Sequence, residues 1–329
     1  MAWLSGWNYR KSITLSRASG VVTNYQMKLL LGESAGATGE DVDCNGHVLS
    51  NFNDVRFTTS DGTTLLDYWI EQIAGVTPNR LATVWIEFDS IGTGDTTFYM
   101  YYGNSGAAAY SDGSNTFIGF DDFERGVDGD PVGGIWSTVF GTVQISIDQA
   151  YGGTRSCKLV GDATIPQMLT TMAASANLSA LYRIYKADAA QFDMSHGDGT
   201  TRAILRAETD EDISVFNGSI YVDTGSNISP DTWQLIEFND WNWTAKTVDV
   251  WLNGVKIKDD ADISYTNNLI ANAIILLQSI GIAGTNSYID NFIVRNWRAT
   301  EPTWGSWGNE ESIHIPRHGF VNFQNPGIA

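Results

Sequence analysis

The stretch that decides the fold is FDDFE at Phe120–Glu124, together with its counterpart YIDNFIV at Tyr288–Val294. Both segments alternate large apolar and polar side chains with a period of two residues, which is typical of a β-strand with one buried face. We expect the two segments to pair as neighbouring strands and to close one β-sandwich between them. A different β-rich unit precedes this sandwich, and a tail follows it.

The composition favours an all-β protein. Among the 329 residues are 33 Gly, and 12% are aromatic, a mixture typical of short strands joined by tight turns. Long helical periodicity is missing, and the length allows two domains. We predict an N-terminal β-sandwich over residues 1–115, a second sandwich over 116–298, and an extended tail over 299–329.

Charge and hydropathy exclude several classes of partner. With 19 Lys and Arg against 38 Asp and Glu, the net charge is −19, which repels nucleic-acid phosphates and anionic membranes. No apolar run approaches the ~20 residues that span a bilayer. The segment Met1–Trp7 has neither a basic n-region nor an apolar h-region, so no signal peptide is expected in this chain. Either a leader was replaced, or the protein leaves the cell by another route, such as on a virus particle.

The two cysteines, Cys44 and Cys157, lie in different predicted domains. Two cysteines do not make a disulfide scaffold. A bridge between the domains and a pair of separate buried thiols are the two alternatives.

Two turn signals mark hairpins. Asp61-Gly62 lies between the predicted strands 53–58 and 65–71, and Asn253-Gly254 lies between 247–252 and 255–257. Asn-Gly supplies the two positive φ angles of a type I′ turn, which sets the strand register.

Six separated motifs in residues 3–118 carry a family resemblance. They are Trp7-x-Tyr9-Arg10-Lys11, Asp54–Phe57, Asp61-Gly62, Tyr68–Glu71, Val84–Ile86 and Tyr101–Asn104. In this order they resemble a widespread domain of unknown function, found in bacterial, archaeal and viral surface proteins, often ahead of a concanavalin-like or laminin-G-like module. The resemblance implies a β-sandwich in a surface or adhesive setting and no established chemistry.

The second unit is similar in layout to a concanavalin A-like or laminin-G-like jelly roll. The segments that carry this resemblance are Asp121–Phe123, the Trp233 strand, the hairpin Val250–Gly254 and the closing strand Ile289–Val294. The resemblance implies a jelly-roll fold for residues 116–298.

That resemblance also implies a calcium ion shared by the first and last strands. Asp122 and Asp290 fall at the matching positions, and the Gly152 carbonyl in the turn Gly152-Gly153 is a candidate third ligand. Calcium takes six to eight oxygen ligands. The alternative is that both carboxylates cap turns or accept hydrogen bonds from backbone amides.

Relatives of this fold include glycoside hydrolases, whose catalysis depends on a pair of carboxyl groups. Retaining hydrolysis needs two carboxyl groups about 5 Å apart, and the laminarinase-type strand pattern is Glu-x-Asp-x-x-Glu. The nearest match begins at Glu208, but Ile213 stands in place of the second Glu, and the segment is typical of a solvated acidic turn. The four histidines, at 47, 196, 314 and 318, are scattered. We predict a protein without catalysis and keep a polysaccharide-cleaving hydrolase or lyase as an alternative.

Carbohydrate binding has a candidate site at Trp241, Asn242 and Trp243. In a loop between strands, two indoles would stack on sugar rings and the amide would bond hydroxyls. The alternative is that the two tryptophans pack in the core, as buried aromatics usually do.

We predict a non-catalytic surface or virion protein of fibre, spike or decoration type with a carbohydrate-binding or adhesive role, located on a virion or extracellular surface. Its partners would be a surface glycan and other virion or envelope subunits. The apolar, Pro-punctuated tail would dock on the first domain or on a neighbouring subunit, giving a homo-oligomer. A purely structural assembly protein is the second alternative, because fold analogy does not settle function.

Overall fold

The computed structural model describes residues 2–17, 20–37, 39–161, 165–172, 177–188, 190–197, 204–217, 219–242, 244–262, 273–280 and 285–313. Over these ranges the protein consists of β-strands and one helical turn, α1 (Gly113–Thr116). In the same ranges, no helix has the length and apolar character needed to cross a membrane. The prediction of an all-β chain is confirmed.

The strands ahead of α1 are β1 (Tyr9–Ser16), β2 (Val22–Gly32), β3 (Val42–Asp43), β4 (Arg56–Thr58), β5 (Leu65–Leu66), β6 (Tyr68–Ala74), β7 (Leu81–Ile91) and β8 (Thr96–Tyr102). The next set is β9 (Gly119–Asp121), β10 (Ser137–Phe140), β11 (Val143–Ser146), β12 (Ser156–Val160), β13 (Gln167–Met172), β14 (Leu178–Tyr185), β15 (Gln191–Gly197) and β16 (Leu205–Ala207). The last are β17 (Asp212–Phe216), β18 (Tyr221–Asn227), β19 (Trp233–Asn242), β20 (Thr247–Leu252), β21 (Val255–Asp262), β22 (Ala273–Ile280), β23 (Asn286–Asn296), β24 (Thr303–Trp307) and β25 (Glu311–Ser312).

These strands form four sheets. Sheet A has the order β24-β1-β8-β4-β5, with β25 also paired to β1, and sheet B has the order β3-β2-β7-β6. Sheet C runs β11-β12-β23-β14-β19-β20-β21, with β9 also paired to β23, and sheet D runs β10-β13-β22-β15-β16-β17-β18. Among the described strands, pairing is antiparallel except between β2 and β3.

Each pair of sheets encloses its own hydrophobic core. Sheets A and B bury a core that includes Leu29, Phe57 and Ile86. Sheets C and D bury a larger core that includes Phe123 and Phe292. The protein is therefore two β-sandwiches, the second a jelly roll.

The predicted pairing of the two deciding stretches is confirmed. Phe292 stands opposite Asp121, and Val294 stands opposite Gly119. Strand β9 ends sooner than expected because Phe123 has a φ of 56°, a left-handed conformation that turns the chain out of the sheet. The Phe123 ring nevertheless reaches the same core as Phe292, since Trp136 packs against both rings.

Both predicted hairpins are present. Asn253 and Gly254 have φ angles of 50° and 80°, as a type I′ turn requires, and Leu252 pairs with Val255 across it. The Asp61-Gly62 hairpin joins β4 to the short β5. After β5 the chain crosses from sheet A to sheet B, so the predicted return strand is divided between two sheets.

Three strands of sheet D were not anticipated from the sequence: β13, β15 and β22. β13 and β15 contain Gln, Asp, Met and Gly, which single-strand propensity does not favour. In sheet D, β13 pairs with β10 and β22, and β15 pairs with β22 and β16. Pairing on both sides stabilises these segments as strands.

The two sandwiches contact each other through a third hydrophobic cluster between sheets B and C. Trp69 and Trp85 are paired on β6 and β7, and Leu181 and Ile293 are paired on β14 and β23. These four side chains and Phe117 pack together. The sheets therefore stack in the order A, B, C, D.

The described part of the tail docks on the first sandwich. β24 and β25 extend sheet A by pairing with β1, and Trp304 and Trp307 pack against its core. Glu310 accepts hydrogen bonds from the Tyr102 hydroxyl at 2.8 Å and contacts His47 Nδ1 at 3.0 Å. Residues 314–329, with His314 and His318, lie outside the described residues. A homo-oligomer formed through the tail stays a prediction.

Cys44 and Cys157 are free and buried in different cores, so the alternative of two separate thiols holds. Burial raises the pKa of both thiols well above the usual value.

Candidate functional site

Asp290, a predicted calcium ligand, is fully buried on β23. Its carboxylate accepts hydrogen bonds from the backbone N–H groups of Tyr151 at 2.7 Å, Gly152 at 3.1 Å and Asn291 at 2.8 Å. Burial raises the Asp290 pKa to about 8, although the N–H bonds act in the opposite direction. The Gly152 N–H faces this carboxylate, and the role of the Gly152 carbonyl as a calcium ligand stays a prediction.

Asp122 also bonds a backbone amide, accepting from the Glu124 N–H at 3.2 Å. Its neighbour Asp121 is more deeply buried and accepts from the Phe123 N–H and from Arg125. Asp122 and Asp290 therefore both accept hydrogen bonds from backbone amides, as the alternative to calcium binding expects. No group of three or more potential metal-ligating side chains was found among the described residues. The calcium ion itself stays a prediction.

Trp241 does not present its ring to solvent. Its side chain is 4% exposed, packs in the core of the second sandwich, and donates from Nε1 to the Phe238 carbonyl at 3.2 Å. The cause is an irregularity in β19, where Asp240 has a φ of 53° and the regular alternation of faces is interrupted. The prediction of a sugar platform is therefore wrong for Trp241, and the packing alternative holds.

The other two residues of that predicted platform have different outcomes. Asn242 is exposed, and its Oδ1 accepts from the Ala245 N–H at 2.9 Å, so it caps a turn. Trp243 lies outside the described residues, and its role in sugar binding stays a prediction.

The segment that begins at Glu208 is the turn between β16 and β17. The Glu208 N–H donates to the Asp212 carbonyl at 2.8 Å, while Asp210 is exposed and Ile213 is buried in the core. The interpretation of this segment as an acidic turn agrees with these contacts.

The outer face of sheet D carries a polar cluster that the sequence interpretation missed. Phe192 and Met194 on β15, and Leu205 and Ala207 on β16, point into the core. Because side chains alternate along a strand, the residues between them, Asp193 and Arg206, lie on the opposite face. These two residues are direct cross-strand partners.

We call Gln191, Asp193, Arg206 and Tyr221 the Asp193 cluster. Arg206 donates from Nε to Asp193 Oδ1 at 2.9 Å and from Nη2 to Oδ2 at 3.0 Å. Gln191 Nε2 donates to Asp193 Oδ1 at 3.0 Å. The Arg206 Cζ lies 4.0 Å from the Tyr221 ring centroid. The hydrogen bond to Asp193 raises the Arg206 pKa.

This arrangement combines the groups that recognise a polyhydroxylated ligand. A bidentate Arg–carboxylate pair has a fixed geometry, so the remaining guanidinium and amide donors are held in defined directions. The aromatic ring beside them offers a flat apolar surface with a polar edge. Asp193 is itself only 2% exposed, because Gln191 and Arg206 bond its carboxylate, so a ligand would meet the groups around it.

A local signal for this cluster is present in the sequence: the polar Asp193 lies between the apolar residues Phe192 and Met194, which is typical of a strand with one buried face. The same pattern surrounds Arg206. Which polar residues meet depends on the pairing of β15, β16, β17 and β18, and this pairing cannot be obtained from either segment alone.

The fold and the Asp193 cluster together define a class: an all-β protein of two stacked sandwiches with a polar and aromatic cluster on one outer sheet face. Residues 51–139 match the model of the family described as "Domain of unknown function (DUF2341)". The match covers the later part of the first sandwich and continues into β10. It supports the resemblance proposed from the six motifs for that part of the chain. No curated protein matches the chain.

Several solved structures are similar to part of this chain. The Bacteroides ovatus mixed linkage glucan GH16 protein, in complex with a G4G4G3G product, is 13% identical over 54% of this chain and 99% of its own, with a TM-score of 0.37. Domain 4 of the Geobacillus stearothermophilus arabinanase AbnA, with arabinotriose, is 16% identical over 48% and 76%, with a TM-score of 0.32. An uncharacterised Mycobacterium paratuberculosis protein is 10% identical over 54% and 100%, with a TM-score of 0.39. Likenesses this distant carry no argument about function.

Proposed function

We propose that this chain is a non-catalytic surface or virion protein that binds carbohydrate through the Asp193 cluster on the outer face of sheet D. The single observation behind the proposal is the fixed Asp193–Arg206 pair, with Gln191 and an aromatic ring beside it. The sugar hydroxyls would bond the polar groups, and the C–H face of a sugar ring would lie on Tyr221.

The contacts of Asp193 favour binding over hydrolysis. A general acid must be protonated before it can donate to the leaving group. Both Asp193 oxygens already accept bonds from the Arg206 guanidinium, so neither is free to pass a proton to a leaving group. A carboxylate held in this way is suited to orienting a ligand rather than to transferring a proton.

The surface or virion setting of the proposal follows from the resemblance of the first domain to a family found in surface proteins. The family match at residues 51–139 supports that resemblance. Within the proposal, the first sandwich presents the second one, and the Asp193 cluster faces away from the contact between them.

Binding of the purified chain to an array of plant, bacterial and host glycans tests the proposal. The informative variant is Tyr221→Ala, which removes the ring beside Arg206. A matched control is Trp251→Ala on β20, since Trp251 is also half-buried and has a cation nearby, with Lys256 Nζ 5.6 Å from its ring. It belongs to sheet C instead of sheet D.

We expect Tyr221→Ala to weaken binding of the retained glycan by roughly tenfold or more, as loss of about 1.4 kcal/mol implies, and Trp251→Ala to leave it unchanged. Retention of no glycan, or equal losses in the two variants, would argue against the proposed site. Release of reducing ends from the bound polysaccharide, abolished by Asp193→Asn or Glu208→Gln, would instead establish the hydrolase alternative.

A further inference from the structure

A cavity of about 210 Å³ lies between the two sandwiches, beside their hydrophobic contact. Residues from sheet B and sheet C line it, including Trp85, Arg183, Glu237, Asn291 and Arg295. A water molecule takes roughly 30 Å³ in the liquid, so the cavity has room for a ligand the size of a sugar ring.

Two ion pairs hold the walls of this cavity. Arg183 Nη2 donates to Glu71 Oε1 at 2.9 Å, and Arg295 Nη2 donates to Glu301 Oε1 at 2.6 Å. Trp85 Nε1 donates to the second Glu71 oxygen at 2.9 Å. The cavity is therefore built from side chains whose positions are set by other bonds.

The same walls carry donors that these bonds do not use. Arg183 Nε, Arg295 Nε and Asn291 Nδ2 are buried and have no hydrogen-bond partner among the described residues. Asn291 is 3% exposed and Arg295 is 6% exposed. A buried donor without a partner is costly, so three of them around one cavity point to a ligand rich in acceptors. Lys28, an exposed residue that also lines the cavity, adds a positive charge.

The remaining wall supplies one acceptor and an apolar surface. Glu237 is half-buried, and desolvation raises its pKa. Leu181, Ile293 and the Trp85 ring provide the apolar part. This combination matches a ring with C–H faces, hydroxyl groups that donate to Glu237, and several acceptor oxygens that receive the free N–H bonds.

We propose that the cavity between sheets B and C binds an acidic sugar of the uronic-acid type. Its carboxylate would accept from Arg183 Nε and Asn291 Nδ2, which lie at one end of the cavity near the pairing of Arg183 with Asp290. Its hydroxyl oxygens would accept from Arg295 Nε further along β23, and the exposed Lys28 would add positive charge. Its ring would lie against Trp85. This site is separate from the Asp193 cluster, because the cluster lies on the outer face of sheet D and the cavity lies on the other side of the second sandwich.

Fluorine NMR of the full chain labelled with 5-fluorotryptophan tests this site directly, with galacturonic acid as the probe. The Trp85 resonance is the one that disappears in Trp85→Phe. Galactose provides the same ring without the charge, and acetate provides the charge without the ring.

We expect galacturonate to shift the Trp85 resonance in a saturable way, and galactose and acetate to bind at least roughly tenfold more weakly. Lys28→Met should weaken galacturonate binding about tenfold without changing the fold, since Lys28 is exposed. Lys258→Met on β21, at the far edge of sheet C, and Tyr221→Ala in the Asp193 cluster should both leave the titration unchanged.

Absence of a saturable shift would overturn the proposal, as would equal binding of galactose. Equal effects of Lys28→Met and Lys258→Met would place the binding elsewhere. Because Tyr221→Ala affects only the Asp193 cluster, loss of glycan binding in that variant with an intact galacturonate titration would separate the two sites.

Discussion

Arg183 of the second sandwich donates to the Glu71 carboxylate of the first at 2.9 Å. The Glu71 side chain is 5% exposed, and its other oxygen accepts from Trp85. The pair lies beside the cluster formed by Trp69, Leu181 and other apolar side chains. The contact between the sandwiches therefore joins an apolar surface to a buried ion pair.

Removal of one partner of this pair should destabilise the protein strongly. We expect Glu71→Gln or Arg183→Met to lower the free energy of unfolding by about 3–5 kcal/mol, because the other charge is left buried without compensation. The double variant should lose less than the sum of the two, and urea unfolding of all four proteins measures the difference.

The control is the same double-mutant cycle on the exposed ion pair formed by Lys256 and Asp259. Its coupling energy should be at most about 1 kcal/mol. A Glu71–Arg183 coupling no larger than this would show that the buried pair contributes little to the contact between the sandwiches.

Trp241→Ala should reduce stability and not glycan recognition. The indole is buried in the core, and loss of such a side chain costs about 3–5 kcal/mol. Denaturant midpoints give the stability, and array binding at a temperature where the variant is folded gives the recognition. A folded Trp241→Ala protein that has lost only its glycan binding would contradict the core position of this ring.

Glu87 should make stability depend on pH. Burial, with Asp67 and Asp89 nearby, raises the Glu87 pKa to about 7, above the roughly 4.3 of an unfolded chain. The folded state then binds the proton more tightly, so the favourable contribution is full below about pH 4 and is lost as the pH rises through 7.

Urea unfolding at about pH 5 and about pH 8 measures this effect. Glu87→Gln cannot titrate, and it should lose less stability than the natural chain over that interval. Asp259→Asn should show the full loss, because hydrogen bonding to Lys256 lowers the pKa of the exposed Asp259. Identical pH profiles for Glu87→Gln and the natural chain would count against the raised Glu87 pKa.

Truncation after Pro302 removes β24 and β25 and uncovers the edge of β1. The lost contacts include the Trp304 ring against Phe88 and its Nε1 bond to the Lys28 carbonyl at 3.0 Å. We expect a loss of about 3 kcal/mol or more, because two half-buried tryptophans, Trp304 and Trp307, lose their packing against the core together. Light scattering on the full chain and on the truncated chain tests the predicted oligomer, since an oligomer formed through the tail should dissociate on truncation.

Composition, two-residue periodicity and turn dipeptides were enough to predict the all-β class, the pairing of FDDFE with YIDNFIV, and the Asn253-Gly254 hairpin. These features depend on which face of a strand is apolar and on the φ angles that a turn requires, and both are properties of a few adjacent residues. The acidic composition of the segment beginning at Glu208 likewise indicated a turn.

Trp241 and Asp193 were beyond that kind of inference. An irregularity in β19 turned Trp241 inward, and a local pattern does not reveal where alternation breaks. Asp193 meets Arg206 only because β15 pairs with β16, and the cavity beside Arg183 exists only because sheet B packs on sheet C. Such contacts join residues far apart in the chain. They depend on which strands and sheets pack together, and a short stretch of residues does not determine this packing.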